Sequence, residues 1–252
     1  MEYLVLGPGG MGVFTILGSL MKYEDELKHI KEISGSSAGA ILAVALALQI
    51  PLREILDSML NIDIANLTKF KIKNFVHTFG FVNMKPLREA MLGVCKCDPT
   101  FSELKTKVYI SSYCVNRSRT EYFSVDTHPN MKVLDAVCMS ITVPILFSAA
   151  RYDGMLYIDG CTKECYPIQP FVNKKPEKIM CIRLTSCDTF LNDITNIKDY
   201  IKAIIAIATR VVDTNTIHMG KDIELYIENK DMFNFTMTHD DKLKMLLKGA
   251  IS

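Results

Sequence analysis

The 252 residues contain no tryptophan, only five histidines, no C-x-x-C pair and almost no net charge, +1 at neutral pH. Each shortage removes a class of function. A near-neutral chain has no global field to draw it to nucleic acid, so any attraction to a polyanion must be local. The eight cysteines (95, 97, 114, 138, 161, 165, 181 and 187) lie mostly in apolar segments, where a thiol behaves as a small hydrophobe. Cys95-x-Cys97 lacks a second pair at zinc-finger spacing, so the sequence implies no disulfide framework, metal or other cofactor. A reducing, intracellular setting is expected. The longest apolar run, Ala38 to Ile50, is too short to span a bilayer, and the first residues open directly into a strand pattern without a basic n-region. The expectation is a cytosolic protein with peripheral membrane association. Neither low-complexity tract, internal repeat nor linker interrupts the chain, which reads as one domain over 1–252.

What is present centres on Ile33-Ser34-Gly35-Ser36-Ser37-Ala38-Gly39-Ala40. This reads as the end of a strand, a tight turn and a helix opening on Ala40. It is the G-x-S-x-G arrangement in which a serine stands clear on a sharp strand-to-helix turn. Small residues beside Ser37 let neighbouring backbone approach, and the helix aims free N–H groups at the hydroxyl. Its bland alternative is a glycine-rich turn before a buried helix.

Upstream, the short strand Tyr3–Leu6 ends in Gly7-Pro8-Gly9-Gly10-Met11-Gly12, and Val13, Ile16, Leu17, Leu20 and Met21 then share one helical face. Strand, helix, strand begins an α/β fold. Helices are expected at Leu52–Leu60, Pro86–Leu92, Met131–Met139, Ile197–Ile217 and Asp240–Leu247. Strands are expected at Val108–Val115, Glu121–Val125, Met155–Ile158, Lys178–Leu184 and Ile223–Ile227. Residues 62–84 show no clear period.

The first glycine loop also satisfies the dinucleotide fingerprint G-x-G-x-x-G. That reading requires an acidic residue ending the second strand, where this chain has Ser34-Gly35-Ser36-Ser37, and Glu32 lies too early. An oxyanion hole is the better reading: parallel neighbouring strands end on one edge, so the Gly9 and Gly10 N–H groups can face a substrate on Ser37. Gly7 and Ala38 are further candidate donors.

Ser37 needs a base. His128, His218 and His239 lie in polar or uncertain segments, and none ends an expected strand. Asp159 does, followed by Gly160, and it would lie on the catalytic edge if its strand ran parallel to the others. A buried carboxylate can take a serine proton directly. An ordinary Asp-Gly turn is the alternative.

With the loop to Gly12, the elbow from Gly35 to Gly39, and Asp159-Gly160-Cys161 in that order, the chain resembles the patatin-like phospholipase family. Further likeness lies in Thr100–Leu104, Ser140–Phe147 and Tyr157–Ile168, so it runs from about Tyr3 to Phe171. The resemblance implies a three-layer α/β/α sandwich on a mostly parallel sheet, completed by residues 172–252. It also implies a Ser37–Asp159 dyad without histidine, acting on phospholipid or another acyl-ester lipid. The expected activity is lipid acyl hydrolysis, with a transacylase or a catalytically weak lipid-binding protein as alternatives. Pro8 stands where the family usually has glycine and removes an N–H, Met11 replaces its Lys or Arg, and Glu164-Cys165 stands where asparagines are common.

A lipid substrate requires contact with an interface. Lys69, Phe70, Lys71, Lys73 and Phe75 interleave bases with aromatics and are the expected membrane contact; a surface strand with solvated lysines is the alternative.

Overall fold

The computed structural model describes residues 1–186, 194–196, 200, 201, 203, 204, 220–228 and 232–252. Its strands are built from short runs that are apolar on both faces, the pattern of parallel strands covered on each side. In β1 (Tyr3–Leu6), Leu4 and Leu6 face the main core while Tyr3 and Val5 face a smaller one. β9 (Ile179–Ser186) divides in the same way, with Met180 and Ile182 on one side and Ile179 and Cys181 on the other.

β1 pairs in parallel with β2 (Glu32–Ser36) and with β9, β2 with β4 (Lys107–Cys114), and β9 with β10 (Lys221–Ile227). Antiparallel strands complete the other end: β5 (Arg119–Phe123) and β8 (Met155–Asp159) both pair with β4, and β7 (Ala150–Tyr152) pairs with β8. The order is β10-β9-β1-β2-β4-β8-β7, with β5 also along β4. A separate pair joins β3 (Gly80–Val82) to β6 (Ile145–Phe147). The result is a mixed α/β fold with a central, mostly parallel sheet flanked by helices.

Helices α1 (Val13–Lys22), α2 (Glu24–Leu27), α3 (Ala38–Ala47), α4 (Leu52–Leu60), α5 (Ile64–Leu67), α6 (Ile72–Thr78), α7 (Met84–Cys95), α8 (Val133–Ser140) and α9 (His239–Ile251) are described. Residues of α1, α3, α4, α7 and α8 fill the main core. The other sheet face is covered by Ile168 and Phe171, with the Tyr109 and Tyr3 rings against Phe171.

Most expected elements that fall on described residues occur at their expected positions, and the departures have physical reasons. α3 starts at Ala38, two residues before the expected Ala40, because the chain turns at Ser37 itself. Residues 62–84 are not structureless: they hold α5, α6 and β3, and Lys73 lies on a helix, not on a surface strand. Too few apolar residues face the interior there to set a period. Most of the helix expected at 197–217, and His218, lie outside the described residues. No helix among the described residues is long and apolar enough to cross a membrane.

α9 closes the main core by packing on α1 at unusually short range. A Cβ at Gly249 would strike the Thr15 carbonyl, and one at Gly18 the Leu246 carbonyl. Gly93 on α7, by contrast, has open space where its Cβ would go. Gly249→Ala should therefore lower the melting temperature by several degrees. Gly93→Ala should raise it slightly, by about 0.5–1 kcal/mol of helix propensity. Thermal melts of the two variants check this; a shift in the same direction for both contradicts the close approach.

Candidate active site

The site begins with a constraint on one strand edge. β4 carries β5 along one side, with Ile110 opposite Phe123 and Cys114 opposite Arg119. Its other side is shared by two strands. β2 occupies the first part, ending with Ser36 beside Ser111, and β8 occupies the last part, ending with Asp159 beside Ser112. Since β2 is parallel to β4 and β8 antiparallel, their C-terminal ends meet head to head. Ser37, the next residue after β2, is thus delivered to Asp159. The sequence expectation made parallel direction the condition for Asp159 to reach this edge. The opposite direction is what brings it there, because an antiparallel strand returns toward the place where β2 stops.

The turn at Ser37 is tight. Its backbone has φ 52 and ψ −126, a conformation that an ordinary side chain adopts at a cost of ~1–3 kcal/mol. A Cβ on Gly39 would lie 2.5 Å from the Leu6 and Gly7 carbonyl oxygens, so only glycine lets α3 start this close to β1. Ser37 N–H donates to Ser140 Oγ at 2.9 Å, which satisfies a buried donor and fixes the turn from the end of α8. Sequence reasoning gave Ser140 no role. Its only sequence signal is its place at the head of the Ser140–Phe147 block.

Ser37 Oγ donates to Asp159 Oδ2 at 2.7 Å. The other carboxylate oxygen accepts from Cys161 N–H at 2.9 Å, and Asp159 N–H donates to the Thr142 carbonyl at 2.8 Å. Asp159 is completely buried, and loss of water pushes its carboxyl up to about 6, against the opposing pull of the Cys161 and Ser37 hydrogen bonds. That value suits a base at neutral pH: ionised, yet more basic than a solvated aspartate. Gly160 must be glycine, since a Cβ there would stand 2.5 Å from the Ser111 carbonyl.

The glycine loop lies alongside because β1 and β2 end in register, Leu6 beside Gly35. Gly7 donates its N–H to the Ile182 carbonyl at 3.0 Å. It extends the sheet, so the N–H expected as a further oxyanion donor already has an acceptor in this structure. Gly10 has φ 50, and a Cβ there would strike the Met232 carbonyl. Gly9 closes the turn by accepting from Gly12 N–H at 2.8 Å. Ala38, first residue of α3, has no intrahelical partner for its N–H. Met11 is buried in the main core, so this position contributes packing where a basic residue was the family expectation.

Neither His128 nor His239 takes part. His128 packs edge-on against Tyr152 and tilted against Phe123, and His239 opens α9. Among the described residues, no three His, Cys, Asp or Glu side chains gather as a metal site. Tyr122 donates to Glu164 at 2.6 Å, so Glu164 is held in a polar pair where the family has asparagine. Lys69, Phe70, Lys71, Lys73 and Phe75 all lie exposed, on α6 and the segment before it.

Residues 4–172 match the family model described as patatin-like phospholipase. An uncharacterized protein of Acanthamoeba polyphaga mimivirus is 32% identical over 179 residues, 67% of this chain and 60% of that protein. A probable lipid hydrolase of Invertebrate iridescent virus 6 is 25% identical over 190 residues, 69% of this chain and 66% of its own length. The matches thus span less than two thirds of either relative. Among solved structures, VipD from Legionella pneumophila superimposes with a TM-score of 0.60 at 14% identity, covering 97% of this chain and 66% of that one. The type III effector ExoU superimposes at 0.51 and 15% identity, over 99% of this chain and 51% of its own. These two likenesses are of fold.

Two measurements test the geometry. Ser140→Ala strands the Ser37 N–H and should slow fluorophosphonate labelling of Ser37 by roughly tenfold or more, about 1.4 kcal/mol. Ser140→Thr keeps the acceptor and should restore most of the rate. The second concerns Asp159. Its carboxyl titrates higher folded than unfolded, so ionising it weakens the fold as pH rises through the window from the ordinary carboxylate value to about 6. Asp159→Asn should therefore melt above wild type at pH 8, and the difference should shrink as pH falls below that window.

Proposed function

Because the chain belongs to the patatin-like phospholipase family, we propose that it is a lipid acyl hydrolase working through Ser37 and Asp159. The observation that carries this reading is the 2.7 Å hydrogen bond from a strained, nearly buried serine to a fully buried carboxylate. Support comes from the glycine loop beside them and from likeness to a viral protein described as a probable lipid hydrolase.

The chemistry proceeds in two halves. Ser37 Oγ attacks the ester carbonyl carbon of an acyl lipid while Asp159 Oδ2 takes its proton. Negative charge builds on the carbonyl oxygen, where the N–H groups of Gly9, Gly10 and Ala38 can hold it. Each such donor is typically worth ~10²–10³ in rate. The carbon–oxygen bond to the leaving alcohol then breaks, and Asp159 returns the proton to that oxygen. This leaves an acyl-serine. Water attacks it with Asp159 again as base, and the fatty acid departs as Ser37 regains its proton. Cys161 N–H on Oδ1 keeps Oδ2 aimed at the serine through both halves. Pro8 contributes no donor, so the hole relies on fewer N–H groups than a loop of glycines offers.

Ser37→Ala and Asp159→Asn should each reduce ester turnover at least ~10³-fold with the fold intact. Purified protein incubated with phospholipid vesicles, followed by product analysis, checks this. Fatty acid as product identifies hydrolysis; transfer of the acyl group to an added alcohol identifies the transacylase. Undiminished turnover in either variant contradicts the dyad. In wild type, the acid limb of kcat/KM should rise through a pH near 6, following the Asp159 carboxyl.

A further inference from the structure

Between Asp63 and Glu89 the chain holds five basic residues, Lys69, Lys71, Lys73, Lys85 and Arg88, and no acidic one, although the whole chain is nearly neutral. The structure concentrates apolar surface in the same place. Phe70, Phe75, Val76 and Phe79 are 56%, 40%, 72% and 50% exposed, unusual for large hydrophobic side chains clustered within ten residues. They are held in an ordered arrangement. Phe81 stacks with both Phe70 and Phe75, at ring separations of 5.2 and 4.8 Å, and Arg151 lies over the Phe79 ring. Lys69, Lys71 and Lys73 are exposed, and no carboxylate pairs with them among the described residues.

This surface is tied to the catalytic support by hydrogen bonds. β3, which follows α6, pairs with β6. Ala149 N–H donates to the Thr78 carbonyl at 2.9 Å, and Ser148 N–H to that of Val82 at 2.9 Å. β6 in turn begins three residues after Thr142, whose carbonyl anchors Asp159, and five after Ser140, which holds Ser37.

We propose that Phe70, Phe75, Val76 and Phe79, rimmed by Lys69, Lys71 and Lys73, form the surface by which this protein docks on anionic phospholipid bilayers. The charge selects the occupant. A purely apolar patch would suit any partner, but lysines with no carboxylate partner among the described residues complement the phosphate and serine head groups of an anionic leaflet. The rings are then placed to enter the boundary between head groups and acyl chains. Docking there brings the β3–β6 side of the site to the lipid. The inference rests on the reading that the substrate is an acyl lipid held in a bilayer.

The test separates docking from chemistry by using Ser37→Ala protein, in which lipid is not consumed. Co-sedimentation with phosphatidylcholine vesicles is compared with vesicles of phosphatidylcholine and phosphatidylserine. Binding should be stronger to the anionic vesicles and should weaken as salt is raised. Each lysine near such a surface contributes roughly fivefold, so Lys69→Glu, Lys71→Glu and Lys73→Glu together should lower partitioning by about a hundredfold or more. The same charge change at Lys105, Lys132 and Lys244, exposed elsewhere, should have little effect. Phe70→Ser with Val76→Ser should weaken binding while leaving its salt dependence. Light scattering of each variant monitors association between copies. The proposal is overturned if the two triple variants bind alike or if anionic lipid gives no advantage. It is also overturned if the patch variants change the oligomeric mass and not vesicle binding. Failure of the dyad would appear differently, as intact vesicle binding by a wild-type protein that releases no fatty acid.

Discussion

The site depends on two strands ending against each other along a single edge of β4. β2 arrives in parallel and stops beside Ser111; β8 arrives antiparallel and stops beside Ser112. Backbone hydrogen bonding to a common neighbour fixes both ends, and the Ser37–Asp159 hydrogen bond spans the junction. Neither side chain has to search for the other. Under the proposed mechanism, a nucleophile and base positioned by sheet register lose little conformational freedom when they react, which is the advantage of placing such a pair on rigid elements.

That junction is unfavourable for folding in several respects, and the surrounding residues compensate. Ser37 is held outside the common backbone regions, and Asp159 carries a fully buried carboxylate. Ser140 meets the serine N–H, the Thr142 carbonyl takes the Asp159 N–H, and Cys161 N–H meets the outer carboxylate oxygen. Gly39 and Gly160 let backbone come within a distance that any side chain would prevent. The same desolvation that opposes folding raises the basicity of Asp159 into the neutral range, so the cost in stability and the capacity to accept a proton have one cause.

The support does not end at the dyad. Ser140, Thr142 and β6 lie in one continuous stretch of chain, and β6 carries β3 with the aromatic and basic surface of α6. The stretch that holds the serine and the aspartate thus continues into the strand that pairs with β3, the strand that follows α6. On the other flank, the glycine loop is fixed by the Gly7 hydrogen bond to Ile182 and by Met11 in the core, which leaves Gly9 and Gly10 at the turn.

Local chemistry made part of this legible in the amino-acid order alone. Short apolar runs marked strands such as β1, and helical spacing marked α1, because burial of one helix face imposes a period on neighbouring residues. Ser37 stood out through its flanking glycines, and Asp159 through the strand and glycine around it. Residues 62–84 were opaque since α6 exposes its aromatics and so lacks the period that burial imposes. The direction of β8, the pairing of Ser140 Oγ with Ser37 and the use of the Gly7 N–H in the sheet were decided only by tertiary structure. Each depends on which strand lies next to which, and residues 37, 140 and 159 come together only after β4 has drawn β2 and β8 to the same edge.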